Sequence, residues 1–234
     1  MAFSLSKRKA FQGFLAPGEY GQMFNINVEP GHFFTLRVKS ESISPRITVE
    51  LGTDIIEQST CYSSQCKTGI IDGDRFKNDS LLARVTAMNR SGNYKLKLID
   101  HGDIDKIASQ VIRATNRNRR RNGLDPLKKN ARLSEAAQAH VDDMDKVGRY
   151  LGHQGSDGSE LRDRINEVGY QWRYIAENAA SGQGTAKQVV RSWMNSPGHR
   201  ANLLNDEVSE IGVGFSIDDE TGTPYWIQKF ASPA

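Results

Sequence analysis

The sequence predicts two domains of different class: an all-β sandwich over residues 1–100 and an α+β domain over residues 103–234. Three observations predict this. Apolar residues alternate with period two in short runs through the first hundred residues. From Asp103 they recur at helical spacing, and near the end of the chain they alternate again. Period two marks strands with one buried face, and a 3–4 residue recurrence marks amphipathic helices.

In the first half, QMFNINV alternates Phe24, Ile26 and Val28, and FFTLRV alternates Phe34, Leu36 and Val38. RITVEL alternates Ile47, Val49 and Leu51. LLARVTA sets Leu81, Ala83 and Val85 against Leu82, Arg84 and Thr86, and NYKLKLI alternates Tyr94, Leu96 and Leu98. The breaks carry turn chemistry: Glu29-Pro30-Gly31, Asp72-Gly73-Asp74 and Ser91-Gly92-Asn93. Short strands at this spacing, with no helical segment between them, predict a small sandwich.

In the second half, Ile104, Ile107, Ala108, Val111 and Ile112 start a helix that Asn122-Gly123 stops. A second helix is expected from Ser134 as cap through Ala137, His140, Met144 and Val147. A short third helix is expected from Glu160 to Val168, and a fourth from about Thr185 to Asn195. Ser196-Pro197 reads as a cap followed by a first helical residue, which puts His199 in the first turn of a fifth helix. EIGVGFSI and YWIQKF then alternate as strands joined by a hairpin at DDETGTP. Helices followed by antiparallel strands make an α+β domain.

Composition bounds the function. The chain has 234 residues, 37% hydrophobic and 25% charged, as a globular protein does. No run approaches the ~20 apolar residues of a membrane span, and the first residues lack the apolar run of a secretion signal. Residues 1–100 carry 13 Lys and Arg against 10 Asp and Glu, and residues 101–234 carry 18 against 18. Neither half is basic enough to suggest nucleic acid. The run NRNRRRNG (Asn116–Gly123) reads as a solvated helix face. Cys61 and Cys66 could form a disulfide or remain free thiols. Asp72, Asp74 and Asp79 lack the spacing of a complete calcium loop.

Few polar groups in the second half suggest chemistry. His153 lies in GHQGSDG, Glu177 in IAENAASG before a glycine-rich connection, and His199 at a helix start. All three are expected on short loops or helix ends. An imidazole offers a lone pair at neutral pH, and a carboxylate can orient its other nitrogen or accept a proton. Ser156, Ser159 and Ser196 sit at turns or caps and read as structural hydroxyls. Gly212 and Gly214 open one face of a strand, either for close packing or as a cleft floor. Arg162 and Arg164 are expected on the polar face of the short helix.

The ordered string NRNRRRNGLDPL, LSEAAQAHVDDM, GHQGSDGSELRDRINEVGY, IAENAASG, VVRSWMNSPGHRANLLN, EIGVGF and YWIQKF resembles bacterial members of the CAP superfamily over residues 103–234. This group contains the cysteine-rich secretory proteins, venom antigens and plant pathogenesis-related proteins. The resemblance implies a three-layer α-β-α sandwich with a central cleft holding two histidines and two acids. In some members a divalent metal, often zinc, binds the histidines. Matched by motif, these residues are His153, His199 and Glu177. The second acid is missing: its position after Trp193 is Ser196, with Asn195 beside it, and Glu210 is the nearest acidic alternative. The first half resembles the bacterial pre-peptidase C-terminal β-sandwich through SLLARVTAMNRSGNYKLKLI.

These resemblances imply an extracellular or envelope binding protein whose cleft takes a metal or small ligand at His153, Glu177 and His199, beside Ser196 and Asn195. The partner would be a polymer, peptide or lipid of the cell surface. One alternative is a metal-assisted hydrolase of peptide or glycan bonds, with Glu177 as general base and Zn2+ on His153 and His199. Another is a structural scaffold with a vestigial cleft.

Overall fold

The computed structural model describes residues 2–5, 10–16, 20–27, 29–61, 65–73, 81–88, 90–218 and 220–234. Val28, Asp74 and Asp79 lie outside these residues. The chain divides into two compact units, Met1–Asp103 and Ile104–Ala234.

The first unit is built of strands. They are β1 (Phe3–Leu5), β2 (Phe11–Leu15), β3 (Gln22–Ile26), β4 (Phe33–Ser40), β5 (Pro45–Leu51), β6 (Asp54–Thr60), β7 (Gln65–Lys67), β8 (Ile71–Asp72), β9 (Leu81–Ala87) and β10 (Gly92–Gly102). One sheet runs β1-β3-β9-β5-β6, and the other runs β2-β10-β4-β7 with β8 also on β4. Their inner faces share one core, with Phe24, Ile47 and Val85 from the first and Leu15, Leu36 and Leu96 from the second. Glu29-Pro30-Gly31 makes its turn: the His32 N–H donates to the Glu29 carbonyl, and Gly31 takes φ 74°. Only a residue without a β-carbon adopts that angle readily, after a proline that presets the turn. Cys61 and Cys66 are joined by a disulfide.

The second unit contains α1 (Ile104–Arg121), β11 (Lys128–Lys129), α2 (Ala131–Lys146), α3 (Leu161–Glu167), β12 (Trp172–Ser181), α4 (Ala186–Asn195), α5 (Pro197–Leu203), β13 (Glu210–Ile217) and β14 (Pro224–Pro233). Its sheet runs β11-β13-β14-β12. Helices cover both faces. On one, a β-carbon at Gly212 or Gly214 would overlap the backbone of Leu133 or Ala137, so the glycines admit α2 against β13. These glycines serve close packing and are not a cleft floor. On the other face, Gln228 donates to the Thr115 hydroxyl of α1 at 2.7 Å, among Val213, Phe215 and Trp226.

Several local expectations are corrected. Asn130 caps α2, accepting from the Leu133 N–H at 3.2 Å, while the Ser134 hydroxyl bonds back to the Asn130 carbonyl inside the first turn. Glu177 lies on no loop or helix end, because IAENAAS runs within β12. The basic run at the end of α1 is not wholly solvated. Arg119 is buried and donates to the carbonyls of Asp125, Leu203, Asn205 and Val208. Arg164 is also buried, although Arg162 is exposed.

Candidate functional site

The site begins with register. Glu177 in β12 stands opposite Lys229 in β14. Both lie on the sheet face that α2 covers, since Lys229 also pairs with Gly212. Lys229 has no exposed surface and Glu177 is 5% exposed. The Lys229 ammonium donates to Glu177 Oε2. Arg164 brings a second cation to the same oxygen, at 3.5 Å. His153 Nδ1 donates to Glu177 Oε1 at 2.8 Å. Burial would raise the Glu177 pKa, but the His153 hydrogen bond, Lys229 and Arg164 outweigh it and hold the carboxyl at about 2. Burial lowers Lys229 to about 8, with Arg164 adding to the effect.

The His153 backbone is fixed from two sides. Arg164 donates to the His153 carbonyl at 2.7 Å and to the Ser159 carbonyl at 2.7 Å. His140, buried in α2, donates from Nε2 to the Gly152 carbonyl at 3.0 Å. The His153 side chain itself is 60% exposed. Its ring is thus held from beneath, with Nδ1 committed to Glu177 and Nε2 outside that bond.

His199 reaches the site through α5. Asn178 donates to the His199 carbonyl at 3.1 Å, and Asn202 donates to the Glu177 carbonyl at 3.0 Å and to the Asn178 side chain at 2.9 Å. These bonds fasten α5 to the strand that carries Glu177. His199 Nδ1 pairs with the Ser196 hydroxyl at 3.0 Å. Ser196 therefore occupies the cap position without a side-chain cap bond. Burial lowers the His199 pKa, and a positive charge on His153, whenever that ring is protonated, lowers it further. The two histidines thus sense each other.

The remaining candidates separate. His153 lines a groove of about 530 Å³ with Gln154, Leu161, Arg162, Trp172 and Ile175. Asn195 lines a different groove of about 400 Å³, with Pro197 and Arg200. Glu210 stays apart from the histidines: Asn130 donates to its carboxylate at 3.0 Å, and the Tyr170 hydroxyl donates to the same oxygen. It does not replace the missing acid. Sequence reasoning did not place Lys229, Arg164 or His140 beside Glu177 and His153.

The donor set limits a metal. Each histidine retains Nε2, but both Glu177 oxygens are bonded. Among the described residues, no three His, Cys, Asp or Glu side chains are grouped to hold an ion. Catalytic zinc takes three protein ligands. Two buried cations against one buried carboxylate also oppose a divalent cation nearby. The residues present do not fit a zinc centre of that kind.

A family model described as "CAP: Cysteine-rich secretory protein family" matches residues 112–230. Over 121 residues the chain is 39% identical to Uncharacterized protein YkwD of Bacillus subtilis (strain 168), covering 52% of this chain and 45% of the relative. It is 26% identical over 212 residues to Uncharacterized membrane protein YlbC of the same organism, covering 88% of this chain and 60% of that one. The chain thus spans less than two thirds of either curated relative. Among solved structures, an outer surface protein from Borrelia burgdorferi shares the fold over 54% of this chain and 92% of its own. The TM-score is 0.50 at 20% identity.

Proposed function

The chain belongs to the cysteine-rich secretory protein (CAP) family, and from that premise we propose a binding protein of the cell envelope or extracellular space. Its second unit takes a small ligand at His153, and its first unit contacts a surface or polymer. The observation that carries the cleft reading is the exposed His153 ring, fixed by the buried Glu177–Lys229–Arg164 cluster. A ring whose Nδ1 is bonded to a carboxylate presents Nε2 as a fixed acceptor. It suits a ligand with a hydroxyl or amine donor, lying along the Trp172 side of the groove.

The extracellular assignment is supported by the Cys61–Cys66 disulfide, which suits an oxidising compartment. The shared fold of an outer surface protein from Borrelia burgdorferi also supports it. No helix among the described residues is long and apolar enough to cross a membrane.

The hydrolase alternative requires Glu177 as general base. A carboxylate held at about 2 and bonded on both oxygens is a poor proton acceptor at neutral pH. Glu177 is instead the anchor of His153.

The test is NMR observation of the His153 and Trp172 ring signals during titration with oligosaccharides and short peptides. A zinc titration of the metal-stripped protein by calorimetry runs beside it. One ligand class is expected to move both rings, and His153→Ala is expected to abolish the response. Equimolar zinc binding that vanishes in a His153→Ala, His199→Ala double variant would replace the small-ligand reading with a metal site.

A further inference from the structure

The outer face of the sheet β2-β10-β4-β7 carries cations in direct cross-strand register. Lys95 stands opposite Lys39, and Lys97 stands opposite Arg37. On the far side of β4, Arg37 stands opposite Lys67. Lys39, Lys67, Lys95 and Lys97 are exposed, while the residues alternating with them point into the core. Like charges set directly opposite one another destabilise a sheet. Among the described residues, none of the five is ion-paired to an acid, although Glu41 stands at the edge of the patch. Residues 1–100 hold only 13 Lys and Arg in all, so this one face concentrates the positive charge of its half. The same face bounds a groove of about 960 Å³ that includes Lys39, Gln65 and Lys95.

We propose that this basic sheet face binds a linear phosphate-bearing polymer that enters the groove at Lys39 and Lys95 and runs on across Lys97, Arg37 and Lys67. The argument is charge complementarity and spacing. Neighbouring strands bring the cations within roughly 5 Å of each other, and alternate residues along a strand repeat at roughly 7 Å. A polyanion with closely spaced phosphates meets that lattice at several points, and neutralising it removes the repulsion that the free sheet tolerates. The groove favours a chain over a flat bilayer, and Phe14 is the one large apolar side chain exposed on its rim among the described residues. The proposal deepens the reading of the first unit as the part that contacts a surface. It does not depend on the His153 cleft.

The experiment measures binding of the full chain to fluorescently labelled long-chain inorganic polyphosphate across a salt series. The comparison is a Lys39→Gln, Lys95→Gln, Lys97→Gln variant. Log affinity of the wild type should fall linearly with log salt, as counterion release requires. The variant should lose at least about tenfold in affinity. Its salt slope should shrink by about two, at roughly 0.7 per lost contact. Its thermal midpoint should hold or rise, because the opposed charges are relieved; a merely structural role would lower it. A Lys187→Gln, Arg191→Gln, Arg121→Gln control loses the same charge from the second unit and should bind as wild type. Equal binding by the lysine variant would overturn the proposal. Wild type that ignores polyphosphate but captures phosphatidylglycerol vesicles would overturn the polymer and keep the surface reading. Binding to neither would overturn both.

Discussion

Lys229 and Glu177 face each other with almost no access to water, and Arg164 adds a second positive charge to the same carboxylate. Removing the carboxylate alone leaves two buried cations uncompensated. Glu177→Gln is therefore expected to cost about 3–5 kcal/mol at pH 7, measured by urea unfolding. Adding Lys229→Met should restore part of the loss, because it removes the charge that the first change stranded. The pH dependence follows from the same pairing. The folded-state pKa of Glu177 lies at about 2, below its ordinary 4.5. Its contribution is complete above about 4.5 and is lost as pH falls toward 2. The second unit should lose stability over that window, and Glu177→Gln should flatten the loss. Neither cation was legible in the sequence. In YWIQKF, Trp226, Gln228 and Phe230 mark one buried face, which assigns Lys229 to solvent. That inference fails because helices cover both faces of this sheet, so alternation no longer separates core from surface. His153, Glu177 and His199 were raised by residue type, but only the family motif grouped them as one candidate site, since isolated polar residues carry no spacing rule of their own.

At the scale of elements, the position of His199 depends on α5, and α5 is held at both ends. Its body is stitched to β12 by Asn178 and Asn202. Its last turn is held by Arg119, whose guanidinium donates to the carbonyls of Leu203 and Asn205. Arg119→Met would leave those buried acceptors without a donor, each a loss of about 1–3 kcal/mol. It should lower the thermal midpoint and shift the His199 ring signal, although Arg119 touches neither histidine. Arg119→Lys should rescue little, because one ammonium does not reproduce the planar fork. Helix ends were the legible part of this architecture. Gly123 closes α1 with φ 76°, and the N–H groups of Gly123 and Leu124 donate back to carbonyls of its last turn. Asn-Gly announces such an ending. Strand β12 was not legible. Its residues 176–179 are buried on both faces, so small and polar residues follow one another without a period. Ser134 misled for another reason: Asn130, four residues earlier, caps the helix from a position that Pro126 and the short β11 segment obscured.

Across the whole molecule, a basic strand-rich unit precedes a charge-balanced mixed unit, and the disulfide lies in the first. Cys61 and Cys66 close a loop of five residues' separation between the end of β6 and β7. This ties the edge strand that carries Lys67 to the adjacent sheet. A loop that short restricts few unfolded conformations, so the bond should contribute about 2 kcal/mol. The effect should be local. In a Cys61→Ser, Cys66→Ser variant, the amides of the β4–β7 ladder, Val38 among them, should exchange about 30-fold faster. That factor is the ratio about 2 kcal/mol represents when exchange occurs through loss of β7. Unchanged protection would show that β7 is held by its packing, through buried Cys66 and its neighbour Val38. Faster exchange would carry a functional consequence. Lys67 would lose its fixed place opposite Arg37, and the third column of the basic face would be ordered only where the disulfide survives. A chain that meets its polymer outside a reducing compartment retains that order, so compartment, disulfide and basic face form one dependence.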